Sequence, residues 1–410
     1  MRKDFRTLIR DNAVTVMFLV LCVLSYFWSG QSLNYVAYEL FGRLSRNAFI
    51  VLALIIPIVA GMGINFAITI GAMAAQIAAL WVTEWQIPGL GGFAVAALMT
   101  IPIAAFFGLL NKMKGQEMIG SMILGYFANG LYQLLFLFVF GNLIPLKTDG
   151  LVIKGSTGVA NTIALDGLNG IKSALDGLWR LEFGPALYIF AGILALFGAI
   201  QMLRKQTSIK KGCVGLGALA AVVLIYQIPA VQNVFSTLRI PMVTFAVIAL
   251  LCLFNVAIMR TRLGQQFRAV GQSMTVANAS GIDVDRVRVI AIILSTVLAG
   301  LGQLIFVQNF GLFQTYGAHE QVGLYAGAAI LVGGASIVRA TNGQALLGCV
   351  LFHTLFIVAP LAGKNLFGDA AIGEYFRVFI SYGVIAMALV LHAWRGRPSA
   401  KKAKPVAETK

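Results

Sequence analysis

Residues 261–302, TRLGQQFRAVGQSMTVANASGIDVDRVRVIAIILSTVLAGLG, decide how the rest of the chain is read. The stretch is polar and basic up to Arg288 and then becomes an unbroken apolar run. Inside it, 273–280 reads as a short helix. Gly271 and Gln272 interrupt the chain before it, Ser273 offers an oxygen to cap its first amides, and Gly281 stands where a left-handed residue would end it. Its surface would carry the small residues Ala277 and Ala279 beside Met274 and Val276. Composition leaves two readings open: a loop whose charges only set topology, and a rigid knob that seats in a groove on another protein.

Outward from this loop, nearly everything is apolar. Of 410 residues 59% are hydrophobic and 11% charged, against about 25% charged in soluble domains. With a mean hydropathy of +0.86, the expectation is an all-α polytopic membrane protein, since lipid offers no partner to open backbone groups. Apolar segments fall near 14–29, 47–62, 64–83, 91–110, 118–140, 185–203, 212–230, 241–259, 289–308, 322–338, 343–361 and 375–393. The 47–83 run is interrupted at Gly61-Met62-Gly63, and the 322–361 run at Gly333-Gly334 and Gly343. Broken or re-entrant helices are expected there, with ten to twelve crossings in all. The first segment reads as a retained helix, because no small-residue cleavage site follows it. Residues 1–394 form the membrane domain, with the loop 260–288 on one side and a long segment, 141–184, on the other. Within that segment, 162–178 reads as a surface helix. The tail 395–410 is basic and reads as disordered at anionic headgroups.

With alternating crossings and both termini cytoplasmic, the inner side carries the whole net charge of +16. That distribution obeys the positive-inside rule. It also accounts for the basic balance without a nucleic-acid partner.

Charge is missing from the segments themselves. No Asp, Glu, Lys or Arg lies inside the first eleven, and His353 is the one group well within a span that titrates near neutral pH. A proton-driven carrier keeps such groups despite their cost in lipid. A sodium-coupled carrier using backbone oxygens stays open. No Walker-type phosphate loop occurs, since Gly363-Lys364 is followed by Asn365. No metal or other cofactor is expected, and the four cysteines sit singly in apolar runs. Among polar residues at membrane depth, Asn65, Thr69 and Gln76 are spaced to share one helix face, as are Asn129, Tyr132 and Gln133. Ser121 and Gln303 add to the set. Lining of a solute path and hydrogen bonding between helices both fit them. Gly323 and Gly327 offer a small face for close packing, within the chain or against a second subunit.

Several of these residues form a pattern. Leu263-Gly264, Arg268-Ala269-Val270-Gly271, Ala277, Ser280-Gly281-Ile282-Asp283-Val284, Leu294-Ser295 and Leu298-Ala299-Gly300 resemble the coupling loop of ABC importer permeases. The group resembled serves simple sugars, nucleosides and branched-chain amino acids. Gly61-Met62-Gly63-Ile64-Asn65-Phe66 with Ile70-Gly71-Ala72 resembles the broken second helix of those permeases, and Glu117-Met118-Ile119 one of their helix starts. Thr69-Ile70-Gly71 departs from the Ser-Val-Gly common in sugar members.

The resemblance implies a set of partners and roles. ATPase subunits would dock at Arg268, Gly271, Ser273, Met274, Ala277, Ala279 and Gly281. The other partners would be a second permease subunit, an extracytoplasmic solute-binding protein and the bilayer of a bacterial inner membrane. The path would run past Asn65, Thr69, Gln76, Asn129, Tyr132 and Gln303. The lack of charge suggests a neutral solute, a simple sugar or nucleoside. The rival class is a carrier or channel that works alone.

Overall fold

A computed structural model describes residues 12–109, 117–153, 158–167, 170–203 and 209–396. The basic tail beyond Gly396, residues 1–11 and the 154–157 part of the external segment lie outside the described residues.

The chain is a bundle of apolar helices. It opens with α1 (Ala13–Ser29) and α2 (Leu33–Ala53), which runs on through α3 (Ile55–Val59). Then come α4 (Ile68–Glu84), α5 (Gly89–Leu109) and α6 (Glu117–Leu134), which ends in a wider π-type turn, Leu135–Val139. After the external segment come α7 (Phe183–Leu203), α8 (Ile209–Tyr226), the short α9 (Pro229–Phe235) and α10 (Met242–Ile258). The polar stretch forms α11 (Arg262–Gln272) and α12 (Met274–Ala279). The last part is α13 (Val284–Phe310), α14 (Val322–Val332), α15 (Asn342–Phe367) and α16 (Ala370–Gly396).

Among the described residues six helical stretches are long and apolar enough to cross a membrane, or eight if each of two pairs bent by 86° and 75° is one span; three shorter apolar helices add to them. The expected 47–62 segment proves to be the second half of a helix that starts at Leu33. Glu39, Arg43 and Arg46, expected in an outer loop, therefore stand inside α2.

Contacts sort the connections into two ends. At one, the Thr15 hydroxyl donates to the Val332 carbonyl at 2.8 Å, and the Asn342 amide to the Cys252 carbonyl at 2.8 Å. At the other, the Glu84 carboxylate accepts from the backbone of Lys147 and Thr148, and the Asn365 amide donates to the Trp28 and Ser29 carbonyls.

The external segment is not the expected surface helix. Thr162–Ala164 is a strand (β1) paired antiparallel with Leu312–Gln314 (β4), and Arg180–Glu182 (β2) pairs with Arg239–Pro241 (β3). The all-α expectation thus needs these four short strands added. Gly170 folds back so tightly that a Cβ on it would stand 2.0 Å from the Leu165 carbonyl oxygen. Asp176 pins the segment down. Its buried carboxylate accepts from the Thr244 hydroxyl and the Asn309 amide.

Core helices approach closely where they are small. A Cβ on Gly71 would meet the Thr296 carbonyl oxygen at 2.2 Å, and one on Gly300 would stand 2.9 Å from the Gly71 carbonyl oxygen. Small residues let backbones meet in this way, and dispersion contacts along the crossing hold α4 against α13. Gly323 and Gly327 pack inward on Phe66, Thr69 and Ile64, so their small face serves contacts within the chain.

Candidate functional site

The chain breaks between α3 and α4. Gly61 and Gly63 take φ of +75° and +73°, which other residues rarely adopt. The amides freed by the break find side chains. The Phe66 N–H donates to Ser121 Oγ at 3.1 Å and the Ala67 N–H to Asn65 Oδ1 at 3.0 Å. Asn65 is therefore a buried brace for irregular backbone, with its amide near Thr296, and it lies ahead of the helix that carries Thr69 and Gln76. The expected common face keeps Thr69 and Gln76 only.

Past the break a cavity of about 340 Å3 opens. Phe66, Thr69, Gly125, Asn129, His319 and Glu320 line it. Behind its wall lies one hydrogen-bonded chain. The Tyr132 hydroxyl is 3.0 Å from the Thr315 carbonyl oxygen and 2.8 Å from the Gln76 amide. Gln76 is 2.9 Å from His319 Nδ1, and His319 Nε2 is 2.8 Å from Asn129 Oδ1. Asn129 Nδ2 reaches Glu320 at 3.4 Å.

Proton supply orients the network. A tyrosine hydroxyl has one proton and a carbonyl oxygen only accepts, so Tyr132 donates to Thr315. The hydroxyl must then accept from Gln76, which a half-turn of that amide's terminal torsion allows. The same amide NH2 meets His319 Nδ1. His319 is thus the neutral imidazole with its proton on Nε2, donating to Asn129. Burial favours the same state, pushing the imidazole down to about 4 from its ordinary 6.5.

Gln76, Asn129 and Tyr132 come together as their spacing suggested. His319 was missed. It sits on the connection between α13 and α14, and no periodicity marks a residue on a loop that folds into the interior. Gln303 lies apart, on a second cavity with Arg43, His353 and Arg377. Charge therefore reaches two cavity walls, through Arg43, Arg377 and Glu320, and the argument for a neutral solute from a charge-free interior fails.

The polar stretch folds by capping. Thr261, Ser273 and Asp283 each accept a hydrogen bond from the backbone N–H three residues on, starting α11, α12 and α13. Gly281 closes α12 at φ +79°. Met274 and Val276 face outward at 38% and 64% exposure. Ala277 does not offer the surface expected of it. It is 2% exposed and packs on α11 and α13 residues such as Phe267 and Val287. Gly271 is likewise turned inward, since a Cβ there would stand 2.2 Å from the Val59 carbonyl oxygen. Arg268 donates to the Met259 carbonyl. Backbone contact of Gly271 with Val59 and Gly61 thus joins the α11–α12 pair to the break that leads to the cavity.

Residues 39–390 match the family model described as the branched-chain amino acid transport system permease component. A high-affinity branched-chain amino acid transport system permease protein, BraD of Pseudomonas aeruginosa, is 27% identical over 175 residues, covering 41% of this chain and 50% of BraD. A nucleoside ABC transporter permease protein, NupB of Lactococcus lactis, is 30% identical over 128 residues, covering 30% of this chain and 33% of NupB. The matches thus span half and a third of these relatives. No solved structure matches.

Proposed function

Since the chain belongs to the branched-chain amino acid transport permease family, we propose that it is the membrane subunit of an ABC importer in a bacterial inner membrane. It would move a small polar solute that an external binding protein delivers, with separate ATPase subunits and a second permease subunit completing the complex. The cationic end of the bundle, both termini included, would face the cytoplasm, where its basic loops satisfy the positive-inside rule. In this reading the chain hydrolyses nothing itself.

One observation carries the reading. The exposed apolar face of α12, Met274 and Val276, stands two elements from the cavity and is linked to it through packed backbone. Movement of α12 would push Gly271 against Val59 and Gly61, and the break would pass it to Phe66 and Thr69 in the cavity wall. Backbone in contact leaves no soft side chain to absorb the motion.

Co-purification with the ABC ATPases of the same genome tests this. Wild type should hold an ATPase, and Val276→Glu should lose it while eluting as the same folded species. Retention of the ATPase by Val276→Glu, or ion-driven uptake by proteoliposomes of this chain alone, would overturn the reading.

A further inference from the structure

A polar recess of about 290 Å3 lies between α2, the β2–β3 pair and the end of α13. β3 runs straight into α10, whose far end leads to α11, so the recess stands at the end of the bundle opposite α12. Three guanidinium groups from three stretches of chain line it: Arg46 on α2, Arg180 on β2 and Arg239 on β3. Two of them are held in place. Arg46 Nε donates to the Gly42 carbonyl at 3.1 Å, and its guanidinium lies 5.6 Å from the centre of the Phe310 ring. Arg180 Nε donates to the Asp176 carbonyl at 2.8 Å, and a terminal nitrogen donates to Ser173 Oγ at 3.2 Å.

The carboxylates of the recess, Asp176 and Glu39, do not use up these donors. Asp176 takes the Thr244 hydroxyl and the Asn309 amide, and Glu39 faces Arg43 at 3.8 Å. Among the described residues no carboxylate stands at ion-pair distance from Arg46, Arg180 or Arg239. A guanidinium carries five N–H donors, and its fork matches two oxygens of a phosphate. The surroundings fix the depth of the site. β2 and β3 lead directly into the apolar helices α7 and α10, so the arginines stand where hydrocarbon gives way to headgroups. Tyr38 on the wall of the recess and Trp179 beside Arg180 are 55% and 50% exposed, as aromatic side chains are in the headgroup belt.

We propose that this recess binds the phosphate of a phospholipid in the leaflet opposite α12. Arg46, Arg180 and Arg239 donate to the phosphate oxygens, Tyr38 and Trp179 lie at the level of the glycerol, and the acyl chains run along the exposed Ile193, Leu194 and Leu196 of α7. Cations in the recess outnumber carboxylates by one, the charge of one phosphodiester. The exposed aromatic and apolar neighbours favour a lipid over a dissolved phosphate ion, which has no use for them. The bound phosphate ties α2 to the β2–β3 pair, whichever solute the chain moves.

Thermal unfolding of the purified full chain in a neutral detergent tests it, with dioctanoyl phosphatidylglycerol, dioctanoylglycerol and inorganic phosphate as probes. Phosphatidylglycerol should raise the midpoint to a saturating value, and the other two should not at the same concentrations. Arg239 is exposed, so Arg239→Gln should fold as wild type does and weaken phosphatidylglycerol by about tenfold or more, the worth of hydrogen bonds to a charged group. Arg46→Gln should do the same from a second element. Arg339→Gln removes the same charge at the other end of the bundle and should leave the half-saturating concentration unchanged. A shift given equally by inorganic phosphate would assign the recess to a dissolved anion and end the lipid reading. No shift with phosphatidylglycerol, an equal shift with dioctanoylglycerol, or equal weakening in Arg239→Gln and Arg339→Gln would each overturn the proposal. So would an Arg239→Gln protein that binds the lipid as wild type does but no longer captures an external binding protein, since the arginines would then serve a protein carboxylate.

Discussion

The two cavities share a wall residue, Gln321, and little else. Beside His319, five side chains from three stretches of chain close a continuous set of hydrogen bonds. Beside Gln303, both polar atoms of that amide and Nδ1 of His353 are buried without a hydrogen-bond partner. A satisfied buried network holds shape, since losing one member strands its neighbours. The first region is thus the frame that positions α4, α6 and the α13–α14 connection, and in the second the buried Gln303 amide stays unmatched.

The largest test of that contrast is His319→Leu. It strands Gln76 and Asn129 together, at roughly 1–3 kcal/mol each, so a loss of about 2–6 kcal/mol is expected in unfolding measured in detergent. Gln303→Leu should move stability the other way. If both substitutions destabilise alike, the contrast is broken. Tyr132→Phe should cost less, about 1–2 kcal/mol, since it leaves the Thr315 carbonyl and one hydrogen of the Gln76 amide unmet. The same cost in a His319→Leu background would show that the two do not share one network.

The last test is in pH. Burial lowers His319 to about 4 in the folded protein from 6.5, so the unfolded chain binds the extra proton first. The stability that the neutral imidazole contributes is complete above about pH 6.5 and is lost as pH falls from there towards 4, by at most about 1.4 kcal/mol per pH unit. Unfolding midpoints between pH 5 and 8 should show this slope in wild type and a shallower one in His319→Gln. A midpoint that rises on acidification would mean that the histidine is protonated in the fold and that the Gln76 amide points the other way.

Much of the architecture was legible residue by residue. Gly61-Met62-Gly63 marked a true break because left-handed backbone leaves a compositional trace. The short helix at Met274–Ala279 was legible because its start and stop lie within a few residues of it, in Ser273 and Gly281. Spacing grouped Asn129 with Tyr132 because a helix face is a local property. It could not show which other element they meet, so His319, 190 residues from Asn129, went unseen. Arg43 and Arg46 were assigned to a loop for a similar reason. A hydropathy window drops where charges occur, even when the helix continues and the charges turn towards partners. Ala277 was taken for surface because a small residue carries no sign of which side it faces.

The sequence by itself determined the class of the protein, most of its apolar helices and the break at Gly61-Met62-Gly63, since each depends on composition or on residues a few positions apart. Tertiary structure decided what the polar residues are for. Asn65 braces backbone, Gln76 orients a histidine, and Gln303 lines a cavity shared with Arg43 and Arg377. The same amide chemistry serves all three. What a buried amide does depends on which partners surround it, and those partners come from helices far apart in the chain.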